Sequence, residues 1–182
     1  MGVYTRGGDG GQTSRLGGER TSKASAVIEA NGALDELSTF LAAARAAAAE
    51  EPLPGSGWTD VGTLLLEVQR DLILLGAALS SGDGERWPVP LEKVPRFEAL
   101  MDAIQETAGP LRHFLVPGAD EADARLHQAR AVCRRAERRV VALQPGAPAD
   151  QAVQYLNRFA DVLFILSVWH RFRAGIPGGR DY

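Results

Sequence analysis

The stretch Leu126-His127-Gln128-Ala129-Arg130-Ala131-Val132-Cys133-Arg134-Arg135-Ala136-Glu137-Arg138-Arg139 contains no glycine or proline and reads as the middle of a long helix. That helix fits Asp120 to Leu143, where Gln144-Pro145-Gly146 ends it. Asp120 suits the N-cap, and Asp123 complements the positive end of the first turn. Arg130, Arg134 and Arg138 recur at i, i+4 and i+8, so they form one row with side-chain origins about 5–6 Å apart. Glu137 lies three residues from Arg134. Two readings stay open for this row. It could hold a polyanion, because the guanidinium fork keeps its charge and gives two directed hydrogen bonds. It could equally be a solvated, salt-bridged face. Cys133 sits among apolar neighbours and reads as a small core residue.

The rest of the chain has the same character. A first helix fits Ser25 to Glu50, with Val27, Ala30, Leu34, Leu37 and Leu41 at spacings of three and four. A second runs from Thr59 or Asp60 to about Leu79 with a broad apolar stripe. A third fits Pro95 to Ala108, with Phe97, Leu100, Met101 and Ile104 inward. The last fits Asp150 to Phe172. On it, Asn157 and Asp161 share a face, and Arg158 can pair with Asp161. An internal network or a ligand would satisfy these groups beside such apolar neighbours. Asp35 on the first helix is a candidate partner for an arginine of another helix. No run shows β-alternation. The expected architecture is all-α, a five-helix up-and-down bundle.

Ahead of the bundle, residues 1–22 read as a flexible polar arm, because Gly7-Gly8-Asp9-Gly10-Gly11 cannot lie inside a helix. The expected division is arm 1–22, bundle 23–175 and tail 176–182. With 182 residues the chain suits one domain. Its net charge of −3 gives no global basic excess, which argues against a non-specific nucleic-acid binder. The single cysteine, the polar Met1–Gly11 segment and the lack of a membrane-length apolar run point to a cytoplasmic protein without membrane contact. No Walker A loop is present. A dinucleotide fingerprint would need a preceding strand, and none is expected. His113, His127 and His170 have no zinc spacing, and the Glu-x-x-His pairs of a di-iron bundle are missing. No metal-ligating set of side chains is therefore expected.

Five ordered pieces together resemble the PduO-type ATP:cob(I)alamin adenosyltransferases. They are Tyr4-Thr5-Arg6-Gly7-Gly8-Asp9-Gly10-Gly11-Gln12-Thr13, Gly32-Ala33-Leu34-Asp35-Glu36-Leu37, Phe114-Leu115-Val116-Pro117-Gly118, the arginine-rich helix, and Tyr155-Leu156-Asn157-Arg158-Phe159-Ala160-Asp161. The resemblance spans about residues 3–172. It implies a homotrimer with active sites between subunits. It implies that Thr5, Arg6, Gly8, Asp9, Gly10, Gly11 and Thr13 wrap the ATP triphosphate, with Lys23 nearby. Arg130 would pair with Asp35 across the subunit interface. Arg134, Glu137, Arg138 and Asn157 would contact or organise ATP and its Mg²⁺. Phe114 would lie on the lower face of the corrinoid and displace its lower nitrogen ligand. A reductase would supply Co(I), and an adenosylcobalamin-dependent enzyme would use the product.

The sequence departs from that pattern at Val27, where arginine is usual, and at Asn31, Ser38 and Ala119. Val27 leads us to expect weaker ATP binding than in a typical member. Two other functions fit the same residues: a non-catalytic corrinoid or nucleotide carrier, and a structural interaction bundle whose arginine row is only surface.

Overall fold

The structure is a computed structural model that describes residues 4, 6–55, 57–110 and 115–177. Five helices make up the body: α1 (Ala26–Ala48), α2 (Val61–Ser81), α3 (Val94–Ala108), α4 (Glu121–Val141) and α5 (Ala147–Ala174). A 3₁₀ turn, Leu91–Lys93, precedes α3. The expected five-helix bundle is present. α4 lies against both α1 and α5, α2 packs on α1, and α3 packs on α5.

Local chemistry explains the helix ends. The Asp60 carboxylate accepts from Thr63 N at 2.6 Å and caps α2, which Gly82 closes in the left-handed conformation. Asp120 caps α4 by accepting from Asp123 N at 2.9 Å. α5 starts three residues earlier than expected, at Ala147 rather than Asp150. Pro148 sits in its first turn, where a missing N–H is no loss. Between α1 and α2 the chain turns so closely that a Cβ on Gly62 would lie 2.9 Å from the Ala49 carbonyl oxygen.

One hydrophobic core joins the five helices. Trp58 stacks on Phe97 at 5.6 Å between centroids, and Phe97 meets Tyr155 and Phe159 edge-on or tilted at 5.5 and 5.7 Å. The alanine-rich end of α1 buries Ala44 and Ala48, a face that composition alone left undetermined. A polar cluster around Asp71 enters this core. Asp71 accepts from Lys93 Nζ at 2.6 and 2.8 Å and from Tyr155 Oη at 2.6 Å, tying α2, the turn before α3, and α5. Burial opposes the Lys93 charge, but Asp71 and Glu67 outweigh it and hold its pKa above the usual lysine value.

The arm corrects the expectation of no strands. β1 (Gln12–Ser14) and β2 (Arg20–Ser22) form an antiparallel hairpin with Thr13 opposite Thr21. Gly17 and Gly18, at φ +111° and +91°, make its reversal. Three-residue polar strands carry no apolar alternation, so no periodicity signalled them. Side chains and backbone dock the hairpin on the end of α2: Arg15 Nε donates to Ser80 O at 2.8 Å, and Leu16 N donates to Ser80 Oγ at 3.0 Å.

Candidate functional site

The glycine-rich arm folds into successive tight turns before β1. Asp9 N bonds Arg6 O at 3.3 Å, Gly11 N bonds Gly8 O at 3.2 Å, and Lys23 N bonds Gly11 O at 2.9 Å. The Lys23 ammonium lies over Gly8, where a Cβ would be only 3.0 Å from Nζ. Arg20 Nη2 donates to Gly7 O at 2.8 Å and braces the same loop. Gly10 and Gly11 face open space, and Gly11 has φ +77°. The loop therefore brings Arg6, Gly8, Asp9, Gly10, Gly11 and Lys23 together, with Thr13 following in β1. It offers backbone at close range beside an ammonium group, which suits a phosphate chain. Thr5 and Phe114 lie outside the described residues.

On α4 the arginines divide by direction. Arg135 pairs with Glu36 of α1, and Arg139 pairs with Glu29 of α1 at 3.1 Å. Arg130 lies over the Phe164 ring of α5, 5.2 Å from its centroid. Arg134 and Arg138 are exposed, and neither side chain has a hydrogen bond or ion pair among the described residues. Beside them Glu137 Oε1 accepts from Asn157 Nδ2 at 3.0 Å, so these two expected ligand residues are already aligned across α4 and α5. Arg158 does pair with Asp161, at 3.3 Å, and also with Glu98 at 3.1 Å.

Asp35 is exposed on α1 and has no ion pair among the described residues. Within one chain it does not meet Arg130. Cys133 is fully buried, and that burial pushes its thiol pKa far above the usual value. Its Sγ donates to Leu156 O at 3.4 Å, and it has no nucleophilic role at neutral pH. Among the described residues no three His, Cys, Asp or Glu side chains are grouped for a metal ion.

The family model for cobalamin adenosyltransferase matches residues 3–170. The chain belongs to the cobalamin adenosyltransferase family. It is 36% identical over 178 residues to the corrinoid adenosyltransferase of Bacillus subtilis, covering 97% of this chain and 90% of that one. It is 38% identical over 172 residues to the corrinoid adenosyltransferase PduO of Salmonella typhimurium, covering 92% of this chain and 49% of the relative. The chain thus spans about half the length of that PduO protein. A variant PduO-type ATP:corrinoid adenosyltransferase from Lactobacillus reuteri, complexed with cobalamin and ATP, has the same fold. Its TM-score is 0.81 at 24% identity, over 99% of this chain and 100% of that one. Another variant of that protein, complexed with ATP, gives 0.83 at 23%.

One feature of this adenosyltransferase-family chain escaped the sequence reading. Asp123 does more than complement the α4 dipole. Its carboxylate is fully buried and takes Arg171 Nε at 2.6 Å and Nη2 at 2.8 Å. Burial alone would raise the Asp123 pKa, but Arg171 and the Gly118 and Ala119 amides outweigh it and hold it low. The partners stand 48 residues apart in sequence, so no local spacing announced them. The available signal was His170, Arg171 and Arg173, which follow the largely apolar stretch 162–169 at the end of α5.

Proposed function

We propose that this chain transfers the 5′-deoxyadenosyl group of ATP to the cobalt of cob(I)alamin, releasing triphosphate and forming adenosylcobalamin. Family membership and fold support this activity. The observation that carries the residue assignment is the unpaired Arg134–Arg138 row beside the Glu137–Asn157 hydrogen bond. Co(I) attacks C5′ of the ribose, a Co–C bond forms, and the C5′–O bond breaks with its electron pair leaving on triphosphate. The leaving group gathers negative charge. Arg134, Arg138, Lys23 and the Gly8 and Gly10 amides of the glycine-rich loop are suited to stabilise it. Mg²⁺ accompanying ATP supplies further charge neutralisation. No protein nucleophile or general base is needed, which agrees with the inert Cys133.

Phe114 is assigned the lower face of the corrinoid. An apolar wedge there removes the axial base, and cobalt is then more easily reduced to Co(I) by a partner reductase. Asp35 and Arg130 are assigned to opposite sides of a subunit contact in a homotrimer. The exposure of Asp35 on α1 supports that assignment.

The test is anaerobic incubation of the protein with ATP, Mg²⁺ and chemically generated cob(I)alamin, followed by visible spectroscopy against a protein-free control. Conversion to adenosylcobalamin is expected. Tight binding of corrinoid and ATP without conversion would replace the enzyme with a carrier. No binding of either ligand would leave only an interaction bundle.

A further inference from the structure

The turn that leads into α4 has no sheet or helix of its own, yet two side chains grip it at three backbone atoms. Asp123 Oδ2 accepts from Gly118 N at 2.7 Å and from Ala119 N at 3.0 Å. Arg171 Nη2, from the end of α5, donates to Val116 O at 2.5 Å. The two side chains then bind each other through two hydrogen bonds, with Asp123 0% and Arg171 6% exposed. Gly118, at φ +98°, allows the backbone to present both amides to one carboxylate oxygen. The neighbouring His170 adds a second grip. Its Nε2 meets Asp120 Oδ2 at 2.7 Å, and its Nδ1 meets Glu51 Oε2 at 2.8 Å. On the far side His127 Nε2 stays 3.7 Å from Asp123 Oδ1, too far to compete.

A buried ion pair is weak evidence for stability, since well-packed apolar side chains of similar volume often serve a core as well. What apolar side chains could not do is hold three backbone atoms of a turn. We propose that Arg171 and Asp123 are positioning residues that fix the corrinoid-facing turn, and through it corrinoid binding, without acting on ATP. This rests on the reading above, in which Phe114, two residues before Val116 in the sequence, faces the corrinoid. The expected selectivity follows from distance. At about 1.5 Å per residue, Asp123 lies roughly 16–22 Å along α4 from Arg134 and Arg138.

The experiment compares the full-length wild type with Arg171→Lys, which keeps the charge but loses the fork, and with Asp123→Asn. Losing one charge-assisted hydrogen bond to the turn should raise the KM for cob(I)alamin about tenfold or more. The KM for ATP should stay unchanged. Gly118 and Ala119 amides should exchange with solvent faster in both variants, while α2 amides do not. On the wild type alone, cob(II)alamin should slow those two amides further and ATP should not, a result that stands even if a variant fails to fold. Equal rises in both KM values, or faster amide exchange with unchanged corrinoid KM, would overturn the proposal. A wild type that converts cob(I)alamin, with Arg171→Lys matching it, overturns the proposal alone. A wild type that takes up no corrinoid overturns it through the reading on which it rests.

Discussion

Arg135 and Arg139 stand one residue from Arg134 and Arg138, yet the two pairs have different surroundings. The first pair points at α1 and finds Glu36 and Glu29. The second is exposed and has no hydrogen bond or ion pair among the described residues. Residue type and spacing are the same in the two rows. What separates them is which helix lies opposite. The paired row is ordinary surface electrostatics, worth about 0.2–1 kcal/mol per exposed pair. The unpaired row gains nothing from pairing, and like charges at i, i+4 oppose the helix by a few tenths of a kcal/mol. On the proposed reading, a row of guanidinium groups without a partner among the described residues is available to an external anion.

The contrast can be broken most directly at Arg134. Arg134→Ala should lower kcat/KM by about 10²–10³-fold, the usual cost of removing one donor from a developing oxyanion. Its melting temperature should stay that of the wild type. Turnover assays beside thermal melts decide this, and an equal loss from Arg135→Ala would erase the distinction between the rows.

His170 sharpens the paired side, because its imidazole is held between two carboxylates, Glu51 and Asp120, that favour its protonated form. Burial alone would lower its pKa, but Asp120 and Glu51 outweigh that and raise it above 6.5. Its unfolded value is about 6.5, so its stabilising contribution is full below that pH and is lost as pH rises through the raised folded value. Wild type should exceed His170→Gln in stability by about 1–3 kcal/mol near pH 6. The gap should shrink by pH 9 in urea titrations, and a gap that widened with pH would reverse the assignment.

A third variant adds a cation instead of removing one. Val27 lines a cavity of about 560 Å³ at the end of the bundle, with Arg15 and Thr21 from the arm, Ser25 just before α1, Gly146 just before α5, and Pro148 from its first turn. Val27→Arg should tighten ATP binding by about fivefold, near 1 kcal/mol. An unchanged dissociation constant by calorimetry would remove Val27 from the account of affinity. The smallest effect belongs to Arg135→Ala. It should cost at most about 1 kcal/mol of stability and leave turnover alone.

These comparisons also mark what the sequence made legible. All five helices, the Asp120 cap, the Arg158–Asp161 pair and the burial of Cys133 follow from periodicity, caps and local spacing, which are properties of neighbouring residues. The hairpin did not, because three polar residues per strand give no period. The Asp123–Arg171 and His170 contacts did not, because they join segments that only the packed bundle brings together. The row Arg130, Arg134 and Arg138 was legible as a row, but the contrast between its Arg134 and Arg138 and the paired Arg135 and Arg139 required the position of α1. Resemblance supplied the roles proposed for Arg134, Glu137 and Asn157, and packing brings the last two within hydrogen-bond distance.

The central claim is that the unpaired row, and not its neighbour, receives the triphosphate. Calorimetric titration of ATP and Mg²⁺ into wild type, Arg134→Ala and Arg135→Ala tests it most directly. The account predicts a dissociation constant raised about tenfold or more for Arg134→Ala, as befits one charged hydrogen bond, and an unchanged value for Arg135→Ala. Equal affinities in all three proteins, or a loss confined to Arg135→Ala, would contradict it.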